Sequence, residues 1–218
     1  MGCAAPVSRA CGEASSTAIT CRWVKKKGGC EPHFVVCSRY VFAQDGEDDA
    51  GWGCAYRALQ TQCSWLRLAG LSARPVPTLG QIGAALAALG EPVAPRQWIG
   101  AVETALLLQA WYGLDCRILD AASGPAVAGR VEELHRHFTA EGSPVAVGGG
   151  VLAWTLLGVA TAPDGETRFL IMDPHYTGGD EDLKSILKKG WVAWQPLSVF
   201  RKDCFYNFSC PLVSTLPK

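Results

Sequence analysis

The sequence predicts an α+β fold in which an antiparallel sheet packs against helices, because helix-like and strand-like segments are segregated along the chain. Apolar residues at helical spacing dominate the first half of the 218 residues, and β-branched and aromatic runs between short turns dominate the second half. Hydrophobic residues make up 49% of the chain, so a sizeable core can form, and no linker divides it. We expect a disordered segment over residues 1–30 and a single domain over residues 31–218.

Five segments have the apolar spacing of helices and are bounded by residues that start or stop a helix. Gly70 and Gly90 end the first two, and Thr78 caps the second. On the third, Val102 and Leu106 share one side. The predicted helical segments are residues 54–70, 79–90, 100–112, 127–140 and 181–190.

Runs of β-branched and aromatic residues predict the strands, and Asp164-Gly165 between two of them is typical of a hairpin turn. The run over residues 115–119 suits a buried strand. The predicted strands lie within residues 33–42, 115–119, 144–149, 151–160, 167–174, 191–197 and 204–210. The acidic and glycine-rich residues 44–53 form a loop between the first strand and the first helix.

Composition restricts the function classes. Twenty basic and twenty acidic residues cancel, so a nucleic-acid partner is not expected, and we predict a monomer that meets another protein or a small molecule. The longest apolar stretch, residues 151–160, is about half of what a membrane span needs. Ten scattered cysteines, without a CxxC pair or a signal peptide, indicate reduced thiols in a cytoplasmic protein. We expect neither metal nor cofactor.

The segment GWGCAYRALQTQC, residues 51–63, places Cys54 where a glycine-rich turn meets a helix. Backbone N–H groups and the helix dipole at such a junction stabilise a thiolate, the nucleophilic form of cysteine. Gly51 and Gly53 allow a sharp turn, whose free N–H groups can stabilise an oxyanion. A buried structural cysteine is the alternative interpretation.

A catalytic cysteine requires a base, and His175 in the segment LIMDPHYTGG (170–179) is the best candidate. Pro174 forces Asp173 into an extended shape, and residues two apart in an extended segment point to the same side. Asp173 could then orient His175 towards the thiol of Cys54. A solvated strand end is the alternative.

The other three histidines are weaker candidates for a base. His33 precedes a predicted strand near the N-terminal segment. His135 and His137 lie two apart among charges on a predicted helix, so they point to different faces. We expect both to be solvated surface residues.

Two of these segments resemble signature motifs of a known family. DDAGWGCAYRALQT (48–61) and MDPHYTG (172–178) are similar to the cysteine and Asp-Pro-His motifs of the ubiquitin-fold modifier 1-specific proteases, which are papain-like cysteine peptidases related to the autophagins. RYVFAQD (39–45) and RQWIGAVE (96–103) resemble further segments of that family. The resemblance spans about residues 35–208 and is to the short type, with little beyond the catalytic domain.

The resemblance implies a role for each of six residues. Cys54 is the nucleophile, His175 the general base and Asp173 its orienter, while Tyr40 corresponds to a tyrosine that donates to the oxyanion. Trp52 and Trp98 would line a slot for a narrow glycine-terminated tail, because bulkier residues would clash there. From the residues alone, an ordinary strand aromatic is the favoured interpretation of Tyr40, and a core residue is an equal alternative for Trp98.

The implied function is thiol-dependent cleavage after the C-terminal glycine of ubiquitin-fold modifier 1, which processes its precursor and releases it from conjugated proteins. Two alternatives stay open. The first is a binding module of the same fold that holds the modifier without efficient turnover. The second is another Cys-His-Asp acyl transferase, although such enzymes place the acid well after the histidine.

Overall fold

A computed structural model describes residues 18–20, 36–38, 40–91, 93–162, 164–176 and 188–216. Within these residues, four helices pack on the two faces of a six-stranded antiparallel sheet, whose strand order, with the labels defined below, is β3-β8-β4-β5-β6-β7. The helices are α1 (Cys54–Leu68), α2 (Leu79–Ala88), α3 (Ala101–Tyr112) and α4 (Val131–Ala140). The strands are β1 (Ala18–Thr20), β2 (Val36–Ser38), β3 (Cys116–Ala121), β4 (Val145–Gly149), β5 (Leu152–Thr161), β6 (Thr167–Met172), β7 (Val192–Pro196) and β8 (Tyr206–Pro211).

The sheet is covered on both faces, which gives a three-layer arrangement with two apolar cores. Ala153 and Leu157 of β5 belong to the core shared with α1, α2 and α3, whereas Trp154 and Leu156 belong to the core under α4. Successive side chains of a strand point to opposite faces, so one strand supplies both cores. This explains why β5 reads as an uninterrupted apolar run.

Helix α1 is the central helix and is buried on all sides from Cys54 to Leu66, not on one face as an amphipathic helix would be. It contacts α3 and the β4–β5 part of the sheet. Two of its buried amide side chains donate to backbone carbonyls inside the protein: Gln60 to that of Pro77 at 2.8 Å and Gln62 to that of Pro144 at 3.1 Å.

The α+β architecture with an antiparallel sheet is confirmed. The first four helices lie where the spacing predicts them, and the Thr78 hydroxyl accepts from the backbone N–H of Gln81, as a capping residue should. The β5–β6 hairpin also turns at the predicted place, with the Gly165 N–H bonded to the Ala162 carbonyl. Among the described residues, no helix combines the length and apolarity that a membrane span requires.

Val102 and Leu106 do share one side of α3, and that side faces solvent because the helix packs through Thr104, Leu107 and Leu108. Three expectations about individual segments were wrong. β3 is an edge strand and is only half buried, since it pairs with β8 alone. Residues 125–130 form a 3₁₀ helix before α4, and residues 40–42 are not in a strand.

Three further expectations concern one histidine and two segments at the borders of the described residues. His137 is buried, 7% exposed, with Nε2 bonded to Ser143. It faces inward because α4 packs this side on the sheet. Ala18–Thr20, inside the segment expected to be disordered, pairs with Val36–Ser38. The rest of residues 1–30 lies outside the described residues. Most of the helix predicted over 181–190 lies outside them as well.

Candidate active site

Cys54 is the first residue of α1 and lies directly after a tight turn. Gly51 has a φ of +83°, a conformation that suits glycine. Gly53 caps the helix without a side chain, and a Cβ atom there would lie 2.1 Å from the Asp49 carboxylate. The N–H groups of the first helical turn therefore remain free to bind negative charge next to the Cys54 sulfur.

A buried ion pair attaches the loop before Cys54 to α1. The Asp49 carboxylate accepts from Arg57 Nε at 2.8 Å and from the Ala43 N–H at 2.7 Å. The Arg57 guanidinium also binds Asp45 through Nη2 at 2.8 Å, and this bond lowers the pKa of the Asp45 carboxyl. One buried guanidinium thus fixes the loop at two points and sets where α1 begins.

The Asp-Pro-His segment follows β6 and brings Asp173 and His175 together. Asp173 Oδ1 accepts from both the backbone N–H of His175 at 2.9 Å and its ring Nδ1 at 2.5 Å. Pro174 and His175 form a turn, so the two side chains converge through this turn and not through the alternation of an extended strand, as the sequence argument assumed. The Asp173 N–H donates to the Trp191 carbonyl at 2.8 Å, which anchors the turn to the segment before β7.

The Cys54 thiol and the His175 imidazole, 121 positions apart in the chain, lie close enough together for Cys54 to affect the pKa of His175. Burial lowers the pKa of His175, but Asp173, through its hydrogen bond and its charge, and Cys54 outweigh burial and raise it to about 9. The charged imidazolium is therefore favoured. The fold thus brings the thiol, the imidazole and the carboxylate together from two distant segments.

Phe42 connects the loop before Cys54 to the turn that carries His175. Its N–H donates to the Pro174 carbonyl at 3.0 Å, and its ring meets the ring of His175 edge-on with centroids 5.1 Å apart. The next residue, Ala43, is bonded to Asp49. The loop that precedes Cys54 therefore also positions the histidine turn.

Tyr40 is half buried, and the charged groups with the greatest influence on its phenol lie along α1. Burial, followed by the charge of Cys63, raises its pKa, while Arg67 and Arg57 oppose the shift. Cys63 is nine residues after Cys54, roughly 13 Å along the helix. The aromatic ring in contact with His175 belongs to Phe42, and the role of Tyr40 as an oxyanion donor stays a prediction.

Of the two tryptophans expected in a substrate slot, Trp98 lines the cleft that holds Cys54. Its indole Nε1–H donates to the Gly51 carbonyl at 2.6 Å, yet half of the residue is exposed (50%). Trp52 instead packs edge-on against Tyr56 at 5.2 Å and donates to the Asp48 carbonyl. Trp52 therefore supports the turn, and its place as a wall of the slot stays a prediction.

The cleft has a volume of about 470 Å³, and four glycines are among the residues that line it. Gly148, Gly149 and Gly150 form the sheet side, and Gly100 and Ala101 form the helix side. A Cβ atom on Gly148 would lie 3.6 Å from the Ala101 nitrogen, so the two sides approach closely. A larger cavity of about 720 Å³ lies beside α4, away from Cys54, and has no part in this site.

The sequence argument missed the residues that hold the site together. Asp45 and Asp49 read only as turn formers, although an arginine three residues after Cys54 on a helix could have indicated a buried carboxylate partner. Phe42 read as an ordinary strand residue. The cleft glycines carried no sequence signal, because nothing local distinguishes them from those of an ordinary β-turn.

Comparisons with known proteins point to a peptidase family. Residues 31–209 match the family described as peptidase family C78. The chain is 48% identical to Ufm1-specific protease 2 of Gallus gallus over 179 residues, covering 80% of this chain and 39% of that protein. It is also 48% identical to the Ufm1-specific protease of Caenorhabditis elegans over 175 residues, covering 78% of this chain and 30% of the other.

A solved structure has the same fold. The crystal structure of UfSP from C. elegans superimposes with a TM-score of 0.76 at 44% identity, covering 84% of this chain and 33% of that chain. The chain therefore spans well under half the length of these relatives.

Proposed function

Because the chain belongs to peptidase family C78, we propose that it is a thiol peptidase that cleaves after the C-terminal glycine of Ufm1, the modifier named in its relatives. The reactions are removal of a short C-terminal extension from the Ufm1 precursor and release of Ufm1 from the lysine side chains of conjugated proteins. The observation that carries the proposal is that Asp173 bonds to the ring of His175 and that this ring lies beside Cys54 at the head of a buried helix.

In the proposed reaction, Cys54 attacks as a thiolate while its proton resides on His175. The sulfur adds to the glycine carbonyl, and the tetrahedral intermediate collapses to a thioester as the imidazolium protonates the departing amine. Water then loses a proton to the same imidazole and hydrolyses the thioester. Asp173 holds the ring in the tautomer that presents Nε2 to the sulfur and stabilises its charged form.

The negative oxygen of each tetrahedral intermediate needs donors, and the backbone N–H of Cys54 is proposed as the first. It lies in the free first turn of α1, where no side chain competes for it. Tyr40 is retained as the proposed second donor, as the family resemblance implies.

The narrow cleft suits a substrate that ends in glycine. Gly148, Gly149 and Gly150 present no side chains on the sheet side, so the main chain of a glycine-terminated tail can approach the backbone there. Trp98, tied to the Gly51 carbonyl, would cover the tail as it enters, and Trp52 would support the turn beneath it. This shape favours a thin C-terminal tail over an ordinary peptide.

We further propose that the protein works as a monomer in the cytoplasm. The five cysteines between residues 40 and 216 are free thiols, which suits a reducing compartment and a cysteine nucleophile. The partners of the reaction are Ufm1 and its conjugates.

The test is incubation of the protein with Ufm1 precursor, followed by mass spectrometry of the products. The wild type should expose the C-terminal glycine, and Cys54→Ser should not, while it still binds mature Ufm1. A propargylamide derivative of Ufm1 should label Cys54. Binding without cleavage or labelling by the wild type would show a binding module, and turnover of small acyl donors alone would show an acyl transferase.

A further inference from the structure

The cleft opens onto three large apolar side chains that solvent reaches. Trp98, Val151 and Phe205 are 50%, 55% and 50% exposed, and all three line the cleft. They come from three different segments: the loop before α3, the β4–β5 turn and the loop before β8. Large apolar side chains exposed around a cleft indicate an interaction surface, because burying them in a partner is favourable.

Val151 and Phe205 form one continuous edge, since the two loops that carry them are packed together. A Cβ atom on Gly149 would lie 2.7 Å from the Phe205 carbonyl oxygen, and one on Gly150 would lie 2.8 Å from the Cys204 sulfur. The Tyr206 hydroxyl accepts from the Arg201 N–H at 2.8 Å, which fixes the second loop. This edge is therefore held in place before any partner binds, which lowers the entropic cost of binding.

On the side of the cleft formed by Val151 and Phe205, the negative charge of Asp203 is paired with a positive one. Asp203 also lines the cleft, but Arg201 binds its carboxylate at 3.1 Å. Across the cleft, the Trp98 indole is held by the Gly51 carbonyl at 2.6 Å. An apolar partner thus meets apolar side chains on both sides of the entrance.

We propose that Trp98, Val151 and Phe205 form an apolar rim that binds the folded body of the ubiquitin-like substrate while its tail lies in the cleft. The inference rests on the proposed function. The cleft beside Cys54 admits a main chain, so a substrate's bulkier folded part stays outside and meets this rim. The rim would thus select a folded modifier over an unfolded peptide with the same C-terminal residues.

The test compares two substrates that differ only in the folded body. One is full-length Ufm1 and the other its last six residues, each carrying a fluorogenic aminocoumarin amide on the terminal glycine. For Phe205→Ala we expect kcat/KM to fall about ten-fold more on the folded substrate than on the peptide, a difference of about 1.4 kcal/mol. Val151→Ser should behave in the same way.

Leu89→Ala is the matched control, because Leu89 is exposed to a similar extent at the end of α2 and does not line the cleft. It should leave both kcat/KM values unchanged. Equal losses on the two substrates, or no loss on the folded one, would overturn the rim, provided that thermal unfolding shows each variant to be folded.

A binding measurement distinguishes an error in the apolar rim proposal from an error in the proposed function. Calorimetry with the Cys54→Ser protein and mature Ufm1 should show about ten-fold weaker binding when Phe205→Ala is added. If Phe205→Ala leaves the binding unchanged, only the apolar rim proposal is overturned. A wild-type protein that neither cleaves nor binds Ufm1 overturns both proposals.

Discussion

Asp49→Asn should destabilise the protein by about 3 kcal/mol, because it removes one partner of a buried ion pair. The side chains of Asp49 and Arg57 are both fully buried, at 0% exposure, and meet at 2.8 Å. An asparagine retains the shape but has a single acceptor oxygen. It cannot satisfy both the Arg57 guanidinium and the Ala43 N–H, which Asp49 does now.

The size of the expected loss in stability follows from the partners that Arg57 retains. Breaking a buried pair typically costs about 3–5 kcal/mol when the remaining charge has no other partner. Arg57 retains Asp45 at 2.8 Å and Gln60 at 3.1 Å, so the lower end of that range applies. At about 2–4 °C per kcal/mol for a chain of this size, the Tm should fall by about 6–12 °C.

Urea unfolding followed by tryptophan fluorescence measures the effect, and Asp48→Asn is the control. Asp48 is the preceding residue, but its side chain is 75% exposed and lies 3.5 Å from Arg96, so its loss should cost less than about 1 kcal/mol. Equal midpoints for the two variants, with equal slopes, would refute the argument that Asp49 and Arg57 hold this loop. At temperatures where it is folded, Asp49→Asn should also lower kcat, since the loop positions Cys54 and His175.

Three further predictions concern titration and the oxyanion. The pKa of His175 is raised to about 9, so protonation of the leaving amine should fail as pH rises through about 9. Asp173→Asn should move this alkaline limb of the kcat profile to lower pH. An unchanged limb would exclude a role for Asp173 in the mechanism. Burial lowers the pKa of His137. The stability that its neutral form contributes is therefore present above the ordinary pKa of about 6.5 and is lost as pH falls below it. His137→Gln should flatten that fall in urea titrations between pH 7 and 5. Donation by Tyr40 predicts that Tyr40→Phe lowers kcat by about 10²-fold, and a variant within a few fold of the wild type would exclude that role.

The extent of the first three helices could be predicted because helix signals are local. The Thr78 cap and the glycines that follow α1 and α2 act on their own turns, whatever lies around them. Burial of a helix face is not local. Val102 and Leu106 point to solvent because Thr104, Leu107 and Leu108 face the core, and the composition of α3 alone does not distinguish these two faces.

The candidate site shows the same division. Cys54 at a helix start and Asp173 next to His175 could be selected from short segments, because each depends on neighbours within a few residues. Phe42 against His175 and Asp49 against Arg57 could not be selected, since these contacts depend on how separate loops pack. His137 was misassigned for the same reason: its charged neighbours on α4 suggested solvent, but the side it shares with Leu134 and Phe138 lies on the sheet.

The sequence by itself determined the kinds of element and the reactive groups, because periodicity, caps and side-chain chemistry act over a few residues. Only the tertiary structure decided that α1 is buried on every side, that Cys54 reaches His175, and that Trp98, Val151 and Phe205 surround one cleft. These contacts join segments about 50 to 120 residues apart. Their free energy comes from packing and ion pairing across the whole core, which no local pattern encodes.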